Sequence, residues 1–278
     1  MPHARVDSGT SERLTRQKVS RLLRPTLLNP FIDIEEDQHP WAVNQSKKLD
    51  FPLMRVWDCC SGNVLDDDLR MLSRAPDESL FTNDARKASL THHLNHRNWD
   101  VPTPYISFTS SPDALSKLAC QRDRKRNRGE QYVTIIDPGS RIKNNLPVLD
   151  VAAEMKQYSI RDPYNRGGEY YDNHYVCLWE VTPEELVGQW TWEELAVMDD
   201  WYESVVIPAF NWARKRKSLG TAPTTAPPPA LAPVSDPAPA CASAFDMSAL
   251  NEALPGQSPS EEADDQLKIT GCATASDE

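Results

Sequence analysis

Three short segments, far apart in the chain, hold the side chains best equipped for chemistry: Arg55-Val56-Trp57-Asp58, Tyr105-Ile106-Ser107-Phe108-Thr109-Ser110 and Gly168-Glu169-Tyr170-Tyr171. The first puts an arginine into an apolar run, where a charge is costly unless it is paired or faces a cleft. A guanidinium so placed can hold a phosphate through charge-assisted hydrogen bonds, or it can form a buried pair with a nearby acid such as Asp58. In the second segment, strand alternation sends Ser107 and Thr109 to one face and Ser110 to the other. Those hydroxyls can fix a ribose or a carboxylate, or simply satisfy backbone groups at the strand end. Glu169 follows Gly167-Gly168, which allow a close backbone approach. A carboxylate there can stabilise a sugar cation. Together the three are the equipment for breaking the nicotinamide–ribose bond of NAD.

These residues need strands and turns to hold them. Phe51 to Trp57 reads as a first strand with Pro52 at its entrance, and Tyr105–Thr109 as a second after the breaks at Pro102 and Pro104. Gln131 to Asp137, rich in β-branched residues and closed by Pro138-Gly139, is the clearest strand, and His174 to Val181 is another. Between them the pattern predicts helices over Arg13–Leu28 (interrupted at Pro25), Asp66–Arg74 and Ser89–Asn98. A further helix is capped by Ser111, with Pro112 as its first residue, and runs past Cys120. Thr182 is placed to cap a helix beginning at Pro183, and Trp192 to Phe210 reads as one helix broken near Pro208.

Composition bounds the rest. The chain has 278 residues, 39% hydrophobic, with a formal net charge of −11. Residues 241–278 hold eight acids and one lysine, so the remainder is only mildly acidic and its charge does not argue for nucleic acid. Seven prolines fall between 221 and 240. Residues 1–44 therefore read as a partly ordered N-terminal arm, 45–212 as one α+β domain, and 213–278 as a disordered Pro/Ala-rich linker and acidic tail. Within that tail, Phe245, Met247, Leu250 and Leu254 line one face of a short helix over 245–254 that is suited to docking on a partner. Six cysteines without a C-x-x-C pair make neither a disulfide scaffold nor a zinc pattern, and Cys177 reads as a buried thiol. No secretory signal and no membrane-length apolar stretch is present, which points to an intracellular protein, cytoplasmic or nuclear.

His92 and His96 share one helix face at a zinc-compatible spacing, but no nearby Glu or Cys completes a ligand set, so no metal is expected. Of the basic runs, Arg122–Arg128 reads as a solvated helix end. Arg214–Lys217, at the edge of the linker, reads as an accessible nuclear import signal. Neither carries the aromatic interleaving that stacks bases.

The order arginine, Ser-x-Thr-Ser, glutamate resembles the arginine–serine–glutamate class of ADP-ribosyltransferases, that of the heat-labile enterotoxin catalytic domains. The stretch from His93 through Trp99 to Pro104-Tyr105-Ile106-Ser107 resembles a fungal family of domains of unknown function, itself similar to the enterotoxin-type fold. The resemblance covers about residues 50–190. It implies an ADP-ribosyltransferase-like split two-sheet domain with flanking helices and an NAD cleft between the sheets. It also implies mono-ADP-ribosyl transfer from NAD, as co-substrate, to an acceptor that is expected to be a protein. In that scheme Arg55 anchors NAD, Ser107 orients, Thr109 and Ser110 complete the cofactor-binding set, and Glu169 stabilises the ribosyl cation. The sequence departs from the class in two places: Phe108 interrupts the Ser-Thr-Ser, and Gly167 stands where arginine-modifying members carry a second acid. Asp172-Asn173-His174 are alternative equivalents of the glutamate. A protein of the same fold that has lost catalysis and serves as a binding or scaffold module is the rival expectation.

Overall fold

The structure is a computed structural model that describes residues 12–24, 33–42, 49–95, 99–124, 128–165 and 168–219, except the side chains of Gly168 and Glu169. The helix expected over 245–254, the linker and tail from 220, His96, Gly167 and the stretch 125–127 lie outside the described residues.

The strands are β1 (Leu53–Trp57), β2 (Met71–Leu72), β3 (Tyr105–Thr109), β4 (Tyr132–Ile136), β5 (Val148–Asp150), β6 (His174–Leu178), β7 (Glu180–Val181) and β8 (Leu186–Thr191). The helices are α1 (Arg16–Leu23), α2 (Glu35–Gln38), α3 (Asn83–Leu94), α4 (Pro112–Asp123), α5 (Pro138–Lys143), α6 (Val151–Gln157), α7 (Trp192–Ala196) and α8 (Ile207–Ser218). Six strands form one antiparallel sheet in the order β5-β6-β3-β1-β4-β8, and β2 pairs with β7 in a second. The fold is thus α+β. Among the described residues, no helix is long and apolar enough to cross a membrane.

The large sheet is nearly cut in two. β1 pairs with β4 along its whole length, from Leu53–Ile136 to Trp57–Tyr132, and β3 with β6 from Tyr105–Leu178 to Thr109–His174. Between β1 and β3 only Met54 and Thr109 are paired. From that point the two strands part, leaving a seam between the halves β5-β6-β3 and β1-β4-β8.

The core follows this division. On one face, α1, α3 and α6 cover the first half, packing Val19, Leu22, Leu90, Leu94 and Val151 against Tyr105, Val176 and Leu178. On the same face α4, α7 and the chain leading into α8 cover the second half, with Leu115, Leu195, Trp201 and Val206 against Met54, Val56, Val133 and Ile135. Ser107 and Thr109, on this face by alternation, belong to neither cluster. The opposite face is one continuous cluster in which Leu53, Trp57, Ile106, Phe108, Ile136 and Cys177 tie the halves together. The N-terminal segment contributes Leu14, Val19, Leu22, Leu23 and Trp41 to the core.

Several local expectations need correction. Asp66–Arg74 is no helix: Leu69 takes a left-handed φ of 58°, the Asp66 carboxylate accepts from the Arg70 N–H at 2.7 Å, and Met71-Leu72 leave to pair with Val181 and Glu180. The apolar run His174–Val181 is two strands, because Trp179 at φ 63° turns the chain from one sheet into the other. Thr182-Pro183-Glu184-Glu185 is a turn into β8, since the Glu185 carboxylate takes both the N–H and the hydroxyl of Thr182 at 3.1 and 3.0 Å. The helix placed over Trp192–Phe210 is α7, a break, and a π turn at Tyr202–Val206 running into α8. Pro208 lies in the first turn of α8, where its missing N–H costs nothing. That helix continues through Arg214–Lys217 and engages two of the four bases: Arg214 pairs with Asp50 at 3.0 Å and Lys217 donates to Ser140 at 2.8 Å.

Candidate functional site

Arg55 stands at the middle of β1, opposite Thr134 on β4 and next to the seam. Alternation places it with Leu53 and Trp57, on the face of Ile106 and Phe108, so its side chain and the Ser107 hydroxyl leave opposite faces of the sheet. The two residues meet through the backbone. Arg55 Nη1 donates to the Ser107 carbonyl at 3.0 Å, in the gap where strand pairing has stopped. Nη2 reaches the Asn63 side-chain and main-chain oxygens at 3.3 and 3.5 Å, and Nε is buried without a partner. No carboxylate pairs with this guanidinium among the described residues. Burial, with Arg122 adding repulsion, lowers its pKa from the ordinary guanidinium value to about 9, against weaker opposing attraction from Asp58 and Cys177.

Asp58 is therefore not the partner of Arg55. It is fully buried, and Arg128 and Arg122 hold it instead, through Nε–Oδ2 and Nη1–Oδ2 contacts of 2.6 and 2.7 Å. Burial pushes its carboxyl up, but the two guanidiniums outweigh that and keep it below its ordinary value. The reading of Arg122–Arg128 as a solvated run is corrected accordingly: both named ends fold inward to close a buried charge, which spacing alone does not reveal. Two guanidiniums thus close on a single carboxylate just past the end of β1.

On the other side of the seam, Ser107 Oγ lies 2.8 Å from His93 Nε2, and His93 Nδ1 lies 3.0 Å from Thr103 Oγ1. The local sequence explains the placement. Thr82 caps α3 by accepting from the Ala85 N–H at 3.1 Å, and the buried residues Arg86, Ser89, Leu90 and Leu94 recur at helical spacing. His93 falls on that same stripe and is carried against β3. Thr103 is fixed by the loop, whose Thr103 carbonyl accepts from Ala75 N–H at 3.2 Å, while Arg74 lies over the Trp99 ring at 4.2 Å and donates to the Trp99 carbonyl. The His93–Ser107 contact can hold the serine hydroxyl in one orientation. On its other nitrogen the imidazole meets the Thr103 hydroxyl.

Thr109 and Ser110 close the end of β3. Thr109 Oγ1 accepts from the Ser111 N–H at 3.1 Å, and Ser110 bonds Asn173 through both its hydroxyl and its N–H, at 3.2 and 3.0 Å. Ser111 caps α4 through Ala114 at 3.2 Å. The third segment is a 3-10 turn, Gly168–Tyr171, ahead of β6, and gives Glu169 its backbone setting. Asp172 and Asn173 are exposed, and His174 lies parallel to the Tyr171 ring at 6.3 Å. Cys177 is buried, and burial raises its thiol to about 12.

Sequence reasoning did not single out His93 as a partner of Ser107, although both lie in the His93–Ser107 stretch that carried the family resemblance. Asn63 had no signal at all: it is a loop residue made relevant by folding, with its amide donating to the Leu72 carbonyl at 2.9 Å and its oxygen turned to Arg55.

The split sheet, with an arginine and a serine at its seam, lies within a match to a known protein family. The chain belongs to the family described as Domain of unknown function (DUF7587), whose model matches residues 52–195. That span runs from the entrance of β1 into α7 and takes in the whole sheet, Arg55, His93, Ser107 and Glu169. No curated protein matches the chain.

Proposed function

We propose that this chain is an NAD-dependent mono-ADP-ribosyltransferase of the arginine–serine–glutamate type. One observation carries the proposal: Arg55 is a half-buried arginine whose Nε is enclosed without a partner and which pairs with no carboxylate among the described residues, sitting where the two half-sheets part. A cation left uncompensated in a sheet is destabilising unless an anion arrives to pair with it. A diphosphate meets that requirement with two charges and many acceptor oxygens.

In the proposed reaction Arg55 holds the diphosphate of NAD at the seam, and Ser107, steadied by His93 on the opposite face of the sheet, orients the nicotinamide ribose. Glu169 stabilises the positive charge that develops on the ribose carbon as its bond to nicotinamide breaks. Nicotinamide leaves with the bonding electron pair, an acceptor nucleophile attacks the same carbon, and its proton is released. Thr109 and Ser110 serve by bracing the strand end.

A second reading is a module of this fold that has lost catalysis and binds partners. It draws on the two carbonyls that already occupy Nη1 and Nη2 of Arg55. Nicotinamide release by the full chain, measured beside Arg55→Ala and Glu169→Gln, separates the two. Release abolished by both substitutions supports the enzyme. Release that survives Glu169→Gln moves the acid to Asp172 or a neighbour. Absence of release, together with no NAD binding by calorimetry, refutes the enzymatic reading in favour of the binding module.

A further inference from the structure

A cavity of about 260 Å³ opens beside α3, bounded by that helix and the loop 101–103. It lies outside the proposed NAD site, and Thr103 is common to both, lining the cavity and contacting His93. Three polar residues line it: Glu78, Ser89 and His92. Ser89 is only 7% exposed, and its Oγ and His92 Nδ1 are both buried without a hydrogen bond of full geometry among the described residues, although the Ser89 hydroxyl lies close enough to the Glu78 carboxyl and the Tyr105 hydroxyl to act on both. Buried polar atoms without partners are rare in folded proteins and cost stability, so a pair of them in one cavity marks a place where a ligand's donors are missing.

The charge of that ligand follows from Glu78. Burial pushes its carboxyl up, with Ser89 and His92 opposing, and no lysine or arginine pairs with it among the described residues. An anion is repelled here, and a neutral molecule leaves the carboxylate uncompensated. A cation satisfies it. Glu78, Ser89 Oγ and His92 Nδ1, the last in its Nε2–H tautomer, offer three acceptors, which is the number of N–H groups on a primary ammonium. Ala85, Ala88, Val101 and Pro102 supply the apolar wall that a methylene chain needs.

We propose that this cavity binds an alkylammonium group, such as the end of a lysine side chain or a free aliphatic amine. The test is an NMR-monitored titration of the full chain with n-butylamine, 1-butanol and butyrate, and with Nα-acetyl-lysine N-methylamide to distinguish a protein lysine from a free amine. The butylammonium ion is expected to saturate shifts of α3 amides with a dissociation constant on the order of millimolar. Binding of butanol should be about tenfold weaker, and that of butyrate absent. Glu78→Gln should weaken the ammonium by about tenfold. Ala88→Leu, at an exposed helix position, should fill the cavity and abolish binding while the thermal midpoint stays unchanged. If the lysine derivative binds as well as butylamine, a protein partner is the source. If only butylamine binds, a free amine is. The proposal is overturned if no amine saturates, if butanol binds as well as the ammonium, or if Ala88→Leu leaves the affinity unaltered. None of these outcomes depends on turnover of NAD.

Discussion

If Arg55 waits for an anion, the free protein should be more stable without it. The drop of its pKa from the ordinary guanidinium value to about 9 corresponds to a cost of roughly 4–5 kcal/mol, at about 1.36 kcal/mol per pH unit. Replacing it with methionine, of similar length, removes that cost. The substitution also loses one hydrogen bond of normal length to Ser107 and two long ones to Asn63, together worth about 3 kcal/mol for a charged donor. Arg55→Met should therefore stabilise the chain by about 1–2 kcal/mol at pH 7. Urea unfolding followed by tryptophan fluorescence reads this directly as a higher midpoint with an unchanged slope.

The pH dependence has a definite sign. Below about pH 9 the guanidinium is charged in the folded and the unfolded chain alike, so the full cost is present. Above about pH 9, until the unfolded guanidinium titrates too, the folded chain binds fewer protons than the unfolded one, so stability rises with pH in that window. The advantage of Arg55→Met over wild type should be flat below pH 9 and shrink above it. Pyrophosphate should raise the wild-type midpoint and leave that of Arg55→Met unchanged. An unfolding free energy for Arg55→Met lower than wild type by more than about 1 kcal/mol would refute the reasoning and make Arg55 a structural strut.

Other substitutions should behave in the ordinary way. Arg141 is fully buried, bonded to Glu185 at 2.8 Å and to the carbonyls of Pro147, Leu178 and Glu180. Arg141→Met should cost about 3–5 kcal/mol in urea unfolding, because it strands a buried carboxylate, and a loss under about 1 kcal/mol contradicts the geometry. Asp58, held below its ordinary value by Arg128 and Arg122 despite burial, contributes stability present above pH 3.8 and lost as pH falls through its lower folded value. Asp58→Asn should flatten that acid limb and unfold more easily at pH 7. Among the cysteines, Cys59 and Cys120 are exposed while burial holds Cys177 at about 12. Maleimide labelling read by mass spectrometry should modify the first two in the native protein and Cys177 only after denaturation.

What the sequence determined by itself is local. Tyr105–Thr109 alternates apolar and polar residues and is a strand, Ser111-Pro112 opens a helix, and the β-branched Tyr132–Ile136 lies in the sheet. Each depends on propensities and spacings within a few residues. The site was legible to the same extent, as Arg55 and Ser107 in separate apolar strands.

Their relation was decided by tertiary structure. Strand order puts β1 next to β3 although some fifty residues separate them, and the seam opens because pairing ends after Met54–Thr109. Only that geometry gives Arg55 a carbonyl in place of the acid that sequence reasoning allowed, while Asp58 goes to two arginines from the far end of α4 and the loop beyond it. Trp179 and Leu69 make the same point for the backbone. A left-handed residue can end a strand or a turn inside an apolar run, and neither tryptophan nor leucine advertises it. Propensity acts between neighbours in the chain, whereas charge pairing and strand register act between neighbours in space.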